Sequence, residues 1–289
     1  MQPLTRTLAP ALLLIGSALA PSETASARDG NRIELPRQNR GRIVALATSH
    51  GLATAIAFAQ PTGDRIPTDA GDLTVHPINH GTFVMQWQGK TIYVDPVGGA
   101  DRFVAFPAPD LILITDIHGD HLNAETVAAV ATAKTKILAP AAVAEKLPAG
   151  ERAQTTVLAN SDQTELLCIN VEAVPMYNLT PERQKFHTKG RGNGYVVTLG
   201  GLRVYVSGDT EDIPEMRKLK NIDVAFVCMN LPYTMDVKQA ASAVLDFRPK
   251  IVYPFHYRGG GGRKSDVKLF EKLIGDDNGI EVRVRNWYP

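Results

Sequence analysis

The chain has 289 residues, with 31 lysines and arginines against 30 aspartates and glutamates and a formal net charge of +1. So even a balance leaves no global basic field to argue for a nucleic-acid partner, and 44% hydrophobic residues suffice for a sizeable core, in one large domain or two small ones. Both cysteines, Cys168 and Cys228, lie in apolar strand-like runs and read as buried thiols rather than as a disulfide framework or metal thiolates.

At the amino terminus Arg6 precedes an apolar stretch from Leu8 to Ala20, and small-residue sites follow at Ala18-Leu19-Ala20 and Ala25-Ser26-Ala27. That is the layout of a secretory signal peptide. The layout recurs: a basic run from Arg37 to Arg42 precedes the apolar segment Ile43 to Ala59. Either segment can be the signal, and an over-extended start site is one explanation for having two. At 17 residues, with Ser49 and His50 inside it, the second segment is at the short edge of a membrane span, so anchoring is the weaker reading. The expectation is an exported protein, periplasmic or secreted, that begins after Ala20, Ala27 or Ala59 and keeps no stable membrane span. Residues 1–60 are thus read as a targeting region and 61–72, rich in Pro, Gly and Asp, as a linker. Residues 73–289 form the folded domain.

Leu73–Pro77, Thr82–Trp87 and Thr91–Val94 read as strands, the last two joined as a hairpin through Gln88-Gly89-Lys90, with Asp95-Pro96 ending the third. Leu111 to Ile114 is a continuous apolar run, the signature of a strand buried on both faces, and it stops at Thr115. The polar loop that follows carries Asp116, His118, Asp120 and His121 within six residues. Two carboxylates and two imidazoles crowd together in this way when an ion collects their lone pairs. In an extended loop Asp116 and His118 point the same way and serve one ion, whereas the adjacent Asp120 and His121 diverge toward a second position. Asn123 is a good N-cap for a helix over Ala124–Ala133, so the cluster lies between a strand's carboxyl end and a helix start, where open α/β sheets bind ligands.

Beyond the cluster the pattern alternates. A strand is expected at Thr135–Leu138, a helix at Ala141–Leu147, and strands at Thr155–Leu158, Glu165–Leu167 and Ile169–Val174. Strands follow at Gly194–Leu199 and Leu202–Ser207, then a helix from Ile213, a strand at Asp223–Cys228 and a helix at Asp236–Asp246. The chain closes with a strand at Ile251–Tyr253, a helix at Ser265–Ile274 and a strand at Glu281–Arg285. Two β-then-α halves of this kind fit a layered α/β fold.

Asp-x-His-x-Asp-His after a buried strand resembles the His-x-His-x-Asp-His signature of the metallo-β-lactamase-fold hydrolases, with Asp116 in place of the first histidine. Downstream motifs recur in that family's order, so the resemblance covers roughly residues 73 to 284. It implies a four-layer αββα sandwich and a metal-dependent hydrolase closer to the lactonase-like branch than to true β-lactamases. Asp209, where Tyr205-Val206-Ser207 breaks into Gly208-Asp209, resembles the carboxylate that bridges two ions, and His256, at the end of Val252 to Phe255, matches the last metal ligand. His80, after the first strand, is placed at the site's rim. Where the family has a histidine after Val171–Val174 this chain has Asn178, a poor zinc ligand, so the nearby His187 is expected to supply the nitrogen.

The implied centre holds one or two divalent ions. Asp120, His121 and His256, with Asp209 bridging, make the family-standard position. Asp116, His118 and His187 make an altered one, richer in oxygen, expected to differ in affinity and to admit Mn2+ or Fe2+ where zinc is the usual ion. Arg258 and Lys264, which bracket the glycine run Gly259–Gly262, together with His80 and Asn178 are candidates for contact with a small, anionic substrate. The reaction expected is attack of metal-bound hydroxide on an ester, lactone or phosphoester bond, with Asp120 steering the nucleophile and handling its proton. The alternative is an exported metal-binding protein of the same fold without turnover.

Overall fold

The computed structural model describes residues 62–289. The segments read as targeting sequences, 1–60, lie outside the described residues. Strands β1 (Asp64–Thr68), β2 (Gly71–Asn79), β3 (Thr82–Trp87), β4 (Lys90–Val94), β5 (Leu111–Leu113), β6 (Lys136–Ala139) and β7 (Thr155–Val157) form one sheet in that spatial order. Its first four strands pair antiparallel and the rest parallel. The second sheet runs β14 (Glu281–Val282), β13 (Ile251–Phe255), β12 (Val224–Cys228), β11 (Leu202–Val206), β10 (Gly192–Leu199), β9 (Ile169–Met176) and β8 (Gln163–Leu166). There too an antiparallel set, β8 to β11, continues into parallel strands.

Period-2 alternation sorts the side chains of the first sheet into two layers. Phe83, Met85, Ile92, Val94, Leu111 and Leu113 face the second sheet in the main core, where Phe83 stacks on Phe226 with centroids 4.3 Å apart. The intervening Val84, Tyr93, Ile112 and Ile114 form a separate cluster with Val127 and Val130 of α1 (Ala124–Val130) and with Val143 of α2 (Ala141–Ala144). On the far face of the second sheet, α6 (Val237–Phe247) contributes Ala240, Val244 and Phe247 and α7 (Val267–Ile274) contributes Phe270 and Ile274. Short helices α3 (Ala149–Ala153), α4 (Pro181–Gln184) and α5 (Pro214–Arg217) sit in the connections. The layers are helix, sheet, sheet, helix, the expected sandwich. Caps fix the helix starts: Asn123 accepts from Thr126 N at 2.7 Å, and Asp236 and Gln239 form a capping box on α6.

Several local expectations differ from the structure. Where a linker is expected, Asp64–Thr68 is a strand pairing with β2, because Ile66 is buried under the sheet edge and the polar residues around it face out. Cys168 is exposed, because Leu167 and Cys168 take left-handed backbone angles at the tip of the β8–β9 hairpin, and only Cys228 is a buried thiol. The last strand stops at Val282, and the first helix after the cluster stops at Val130.

Candidate metal centre

The carboxyl ends of β5, β11, β12 and β13 open on one edge of the sandwich, and the loops leaving them carry the chemistry. Asp116, His118, Asp120 and His121 follow β5, Asp209 follows β11, Asn230 follows β12 and His256 follows β13. His187 arrives on the connection between β9 and β10, beyond α4. His80, Asp95 and His256 all have left-handed backbone angles (φ 57°, 45° and 46°), a sparsely populated conformation that surrounding packing must hold in place. Gly81 permits the closeness: a Cβ there would stand 2.8 Å from the His256 ring.

The side chains gather in overlapping groups whose donor atoms lie within 4.8 Å of one another: His121, Asp209 and His256; His80, Asp120 and His256; and Asp116, His118 and His187. His121 Nε2 is 3.5 Å from Asp209 Oδ2, His187 Nε2 is 3.4 Å from the same oxygen, and His256 Nε2 is 3.6 Å from Asp209 Oδ1 and 3.4 Å from Asp120 Oδ2. Zinc bound tetrahedrally at 2.0–2.1 Å separates its ligand atoms by about 3.4 Å, so these spacings suit an ion. The decisive chemical feature is a set of buried atoms with no hydrogen-bond partner among the described residues: His121 Nε2, His187 Nε2, His256 Nε2 and Asp209 Oδ1. Buried polar atoms are normally paired, and three such nitrogens gathered around one carboxylate fit a cation. His187 and Asp209 also line, with His118, Asp120, Phe186, Asn230 and Tyr233, a cavity of about 300 Å³.

Outer contacts aim the donors. His121 Nδ1 lies 2.8 Å from Asp95 Oδ2, and Asp95 in turn accepts from Thr115 N at 2.7 Å and Thr115 Oγ1 at 2.6 Å. A proton held on Nδ1 leaves the Nε2 lone pair facing the Asp209 carboxylate. Burial opposes ionisation of Asp209, but His256 and His121 beside it hold its carboxyl well below the usual carboxylate range. Burial likewise opposes ionisation of Asp120, and His256 and His80 outweigh it.

The sequence profile of the β-lactamase superfamily domain matches residues 74–256, more than half of the chain. The chain belongs to this family. A metal-dependent hydrolase of Pyrococcus abyssi, in the group designated UPF0173, is 32% identical over 217 residues, covering 71% of this chain and 93% of the relative. The crystal structure of a protein from Parabacteroides distasonis, described as a metal-dependent hydrolase, is 42% identical with a TM-score of 0.70 and covers 78% of this chain and 99% of that one. Igni18, a metallo hydrolase of Ignicoccus hospitalis, shares the fold at 21% identity and a TM-score of 0.62, over 74% of this chain and 94% of its own. Metal-dependent hydrolysis is thus the family activity, and the His and Asp clusters are residues that could bind the ions.

The four residues expected to touch substrate fall in different surroundings. Asn178 is buried behind His187: its Nδ2 lies 2.7 Å from the Tyr233 carbonyl, 2.9 Å from the Arg183 carbonyl and 3.2 Å from His187 Nδ1, so it buttresses the imidazole instead of meeting substrate. His80 is also buried, with Nε2 3.3 Å from Asp120 Oδ2 and Nδ1 2.9 Å from Tyr288 Oη. Arg258 and Lys264 lie over the Tyr288 ring, 4.5 and 4.7 Å from its centroid. Lys264 also lines a larger cavity of about 690 Å³ beside the first one. Three residues had no role in the sequence reading. Asp95 was legible only as a strand end, and Arg191 and Tyr288 carried no local signal that set them apart from other charged and aromatic residues.

Proposed function

We propose that the chain is an exported hydrolase that uses one or two divalent ions to cleave an ester, lactone or phosphoester bond in a small anionic substrate. The observation that carries this reading is the gathering of the unpartnered Nε2 atoms of His121, His187 and His256 around the buried Asp209 carboxylate, next to a cavity that His187 and Asp209 line. The nitrogen-rich group fits zinc, and the oxygen-richer group around Asp116 fits manganese or iron as well. When bound, such an ion lowers the pKa of water from about 15.7 toward 7 and polarises the oxygen of the bond under attack.

Asp120 is the acid and base of the chemistry. Its side chain is 43% exposed to the cavity while the other carboxylates there are buried, so it can take a proton from the attacking water and return it to the leaving group. His80, tied at its far nitrogen to Tyr288, holds the Asp120 carboxylate in place. Leu231 and Tyr233 are both exposed, and Leu231 lines the larger cavity while Tyr233 lines the one at the centre. The larger cavity is lined by Arg183, Lys238, Arg263 and Lys264 against the single carboxylate of Asp236, which supports an anionic portion of the substrate reaching into it. Export rests on the two signal-like segments, and amino-terminal sequencing of protein from its host checks it. A second reading, metal binding without turnover, draws on the pairing of Asp116 with Arg191. A panel of anionic lactones, phosphodiesters, carboxylesters and β-lactams, assayed with and without a chelator, separates the two. Chelator-sensitive turnover of at least one non-β-lactam member supports hydrolysis, and a metal-loaded protein inert toward the whole panel overturns it.

A further inference from the structure

Position 116 is where the family signature places its first histidine, and the aspartate found there is already engaged on both oxygens. Arg191 Nε donates to Oδ1 at 3.1 Å, Arg191 Nη2 donates to Oδ2 at 3.0 Å, and His118 Nδ1 lies 2.7 Å from the same Oδ2. The pair is well shielded: Asp116 is fully buried and the Arg191 side chain is 18% exposed. The same Nη2 also donates to the Phe186 carbonyl, which adds a second anchor to the guanidinium. Gly192 makes the approach possible, because a Cβ there would stand 2.9 Å from the Thr115 carbonyl and 3.2 Å from Asp116 Oδ1.

This geometry differs in kind from that of the neighbouring group. Around His121, Asp209 and His256 the donor atoms stand 3.5 and 3.6 Å apart with lone pairs free, the spacing an ion requires. Asp116 and His118 instead meet at hydrogen-bond distance, and the carboxylate is held on both oxygens by the Arg191 guanidinium. A dication entering there must displace His118 from Asp116 and sit close to a fixed positive charge.

We infer that Arg191 is the residue that makes this centre asymmetric. The His121, Asp209 and His256 position, with Asp120, takes an ion tightly. The Asp116, His118 and His187 position takes a second one weakly, because Arg191 has claimed the charge that would hold it. The inference rests on the metal-centre reading above and not on hydrolysis.

The test is a Zn2+ titration of metal-free protein by calorimetry, with elemental analysis after gel filtration, on the wild type and on Arg191→Gln. The wild type is expected to retain one ion per chain through the column, and Arg191→Gln to bind a second at least tenfold more tightly, with the first unchanged. An unchanged first ion also shows that the variant is folded. Two ions retained with equal affinity by the wild type would overturn the inference without recourse to any variant. A second ion bound no more tightly by folded Arg191→Gln would overturn it too, because Arg191 would then merely orient Asp116. Absence of hydrolytic activity has no bearing on the outcome, whereas a protein that binds no ion removes this inference and the proposed function together.

Discussion

Asp95 carries a prediction that follows from hydrogen-bond geometry alone. In the folded protein its Oδ2 faces two donors, Thr115 Oγ1 at 2.6 Å and His121 Nδ1 at 2.8 Å, while Oδ1 accepts from Thr115 N at 2.7 Å. Asp95→Asn keeps the shape and the bond at Oδ1 but turns an amide NH2 toward His121. Thr115 can rotate its hydroxyl to accept, whereas His121 satisfies the new donor only by moving its proton to Nε2, which removes the lone pair aimed at the Asp209 carboxylate. Restoring that lone pair costs the charge-assisted bond to Asp95, about 1.5–3 kcal/mol. At about 1.4 kcal/mol per decade this is roughly a 10- to 100-fold loss of metal affinity, the range usual for outer contacts of metal ligands. Competition against a chromogenic chelator measures the affinity, and circular dichroism confirms the fold. An affinity within about twofold of wild type, in a folded variant, would refute the idea that Asp95 sets the His121 tautomer.

Asp120→Asn is nearly isosteric and should leave the fold and the melting temperature unchanged while lowering kcat by about 10² to 10⁴, measured at saturating metal. Lys264→Ala should raise KM for an anionic substrate several-fold with little change in kcat, because a surface cation beside the larger cavity acts alike on ground and transition states. Glu211 has a pH signature of its own. Burial would raise its pKa, but the Thr180 hydroxyl and amide, Arg183 and the Leu179 amide hold it below the ordinary 4.5. A carboxyl with a depressed folded pKa stabilises the fold above its unfolded value, so this contribution is intact above about pH 4.5 and lost as pH falls through the folded pKa. Urea unfolding of Glu211→Gln should therefore differ from wild type at pH 7 and converge with it in acid, and a pH-independent difference would contradict the assignment.

The parts of the centre legible in the sequence were those whose chemistry is local. Asp116, His118, Asp120 and His121 stand within six residues of one another just past a strand end, and Asp209 and His256 each follow an apolar run that could only be a buried strand. The sandwich was legible for the same reason, since runs such as Val224–Cys228 are buried at every position. What stayed hidden depends on partners distant in the chain. Asp95 resembled an ordinary strand-ending Asp-Pro until the fold brought it to His121, and Arg191 was one charge among Lys185, Lys189 and Arg191 until it met Asp116 across 75 positions. Tyr288 meets His80 across 208 positions, a contact no local pattern announces. Asn178 had the right place in the chain for a ligand, yet its amide turns to the Tyr233 and Arg183 carbonyls. Strand β1 was obscured by composition, because Pro67 and the surrounding Gly and Asp residues resemble a linker, and only pairing with β2 makes it a strand.

Hydrolysis at an ion held by His121, Asp209 and His256 is tested most directly by reconstitution. Metal-free protein is loaded stepwise with Zn2+, and turnover of a substrate found in the panel is measured at each bound fraction. Metal-free protein is expected to show no turnover, and activity to rise in proportion to bound ion, following occupancy of the tight position. Full activity in metal-free protein, or a fully loaded protein with no turnover of a substrate that the untreated protein cleaves, would contradict it.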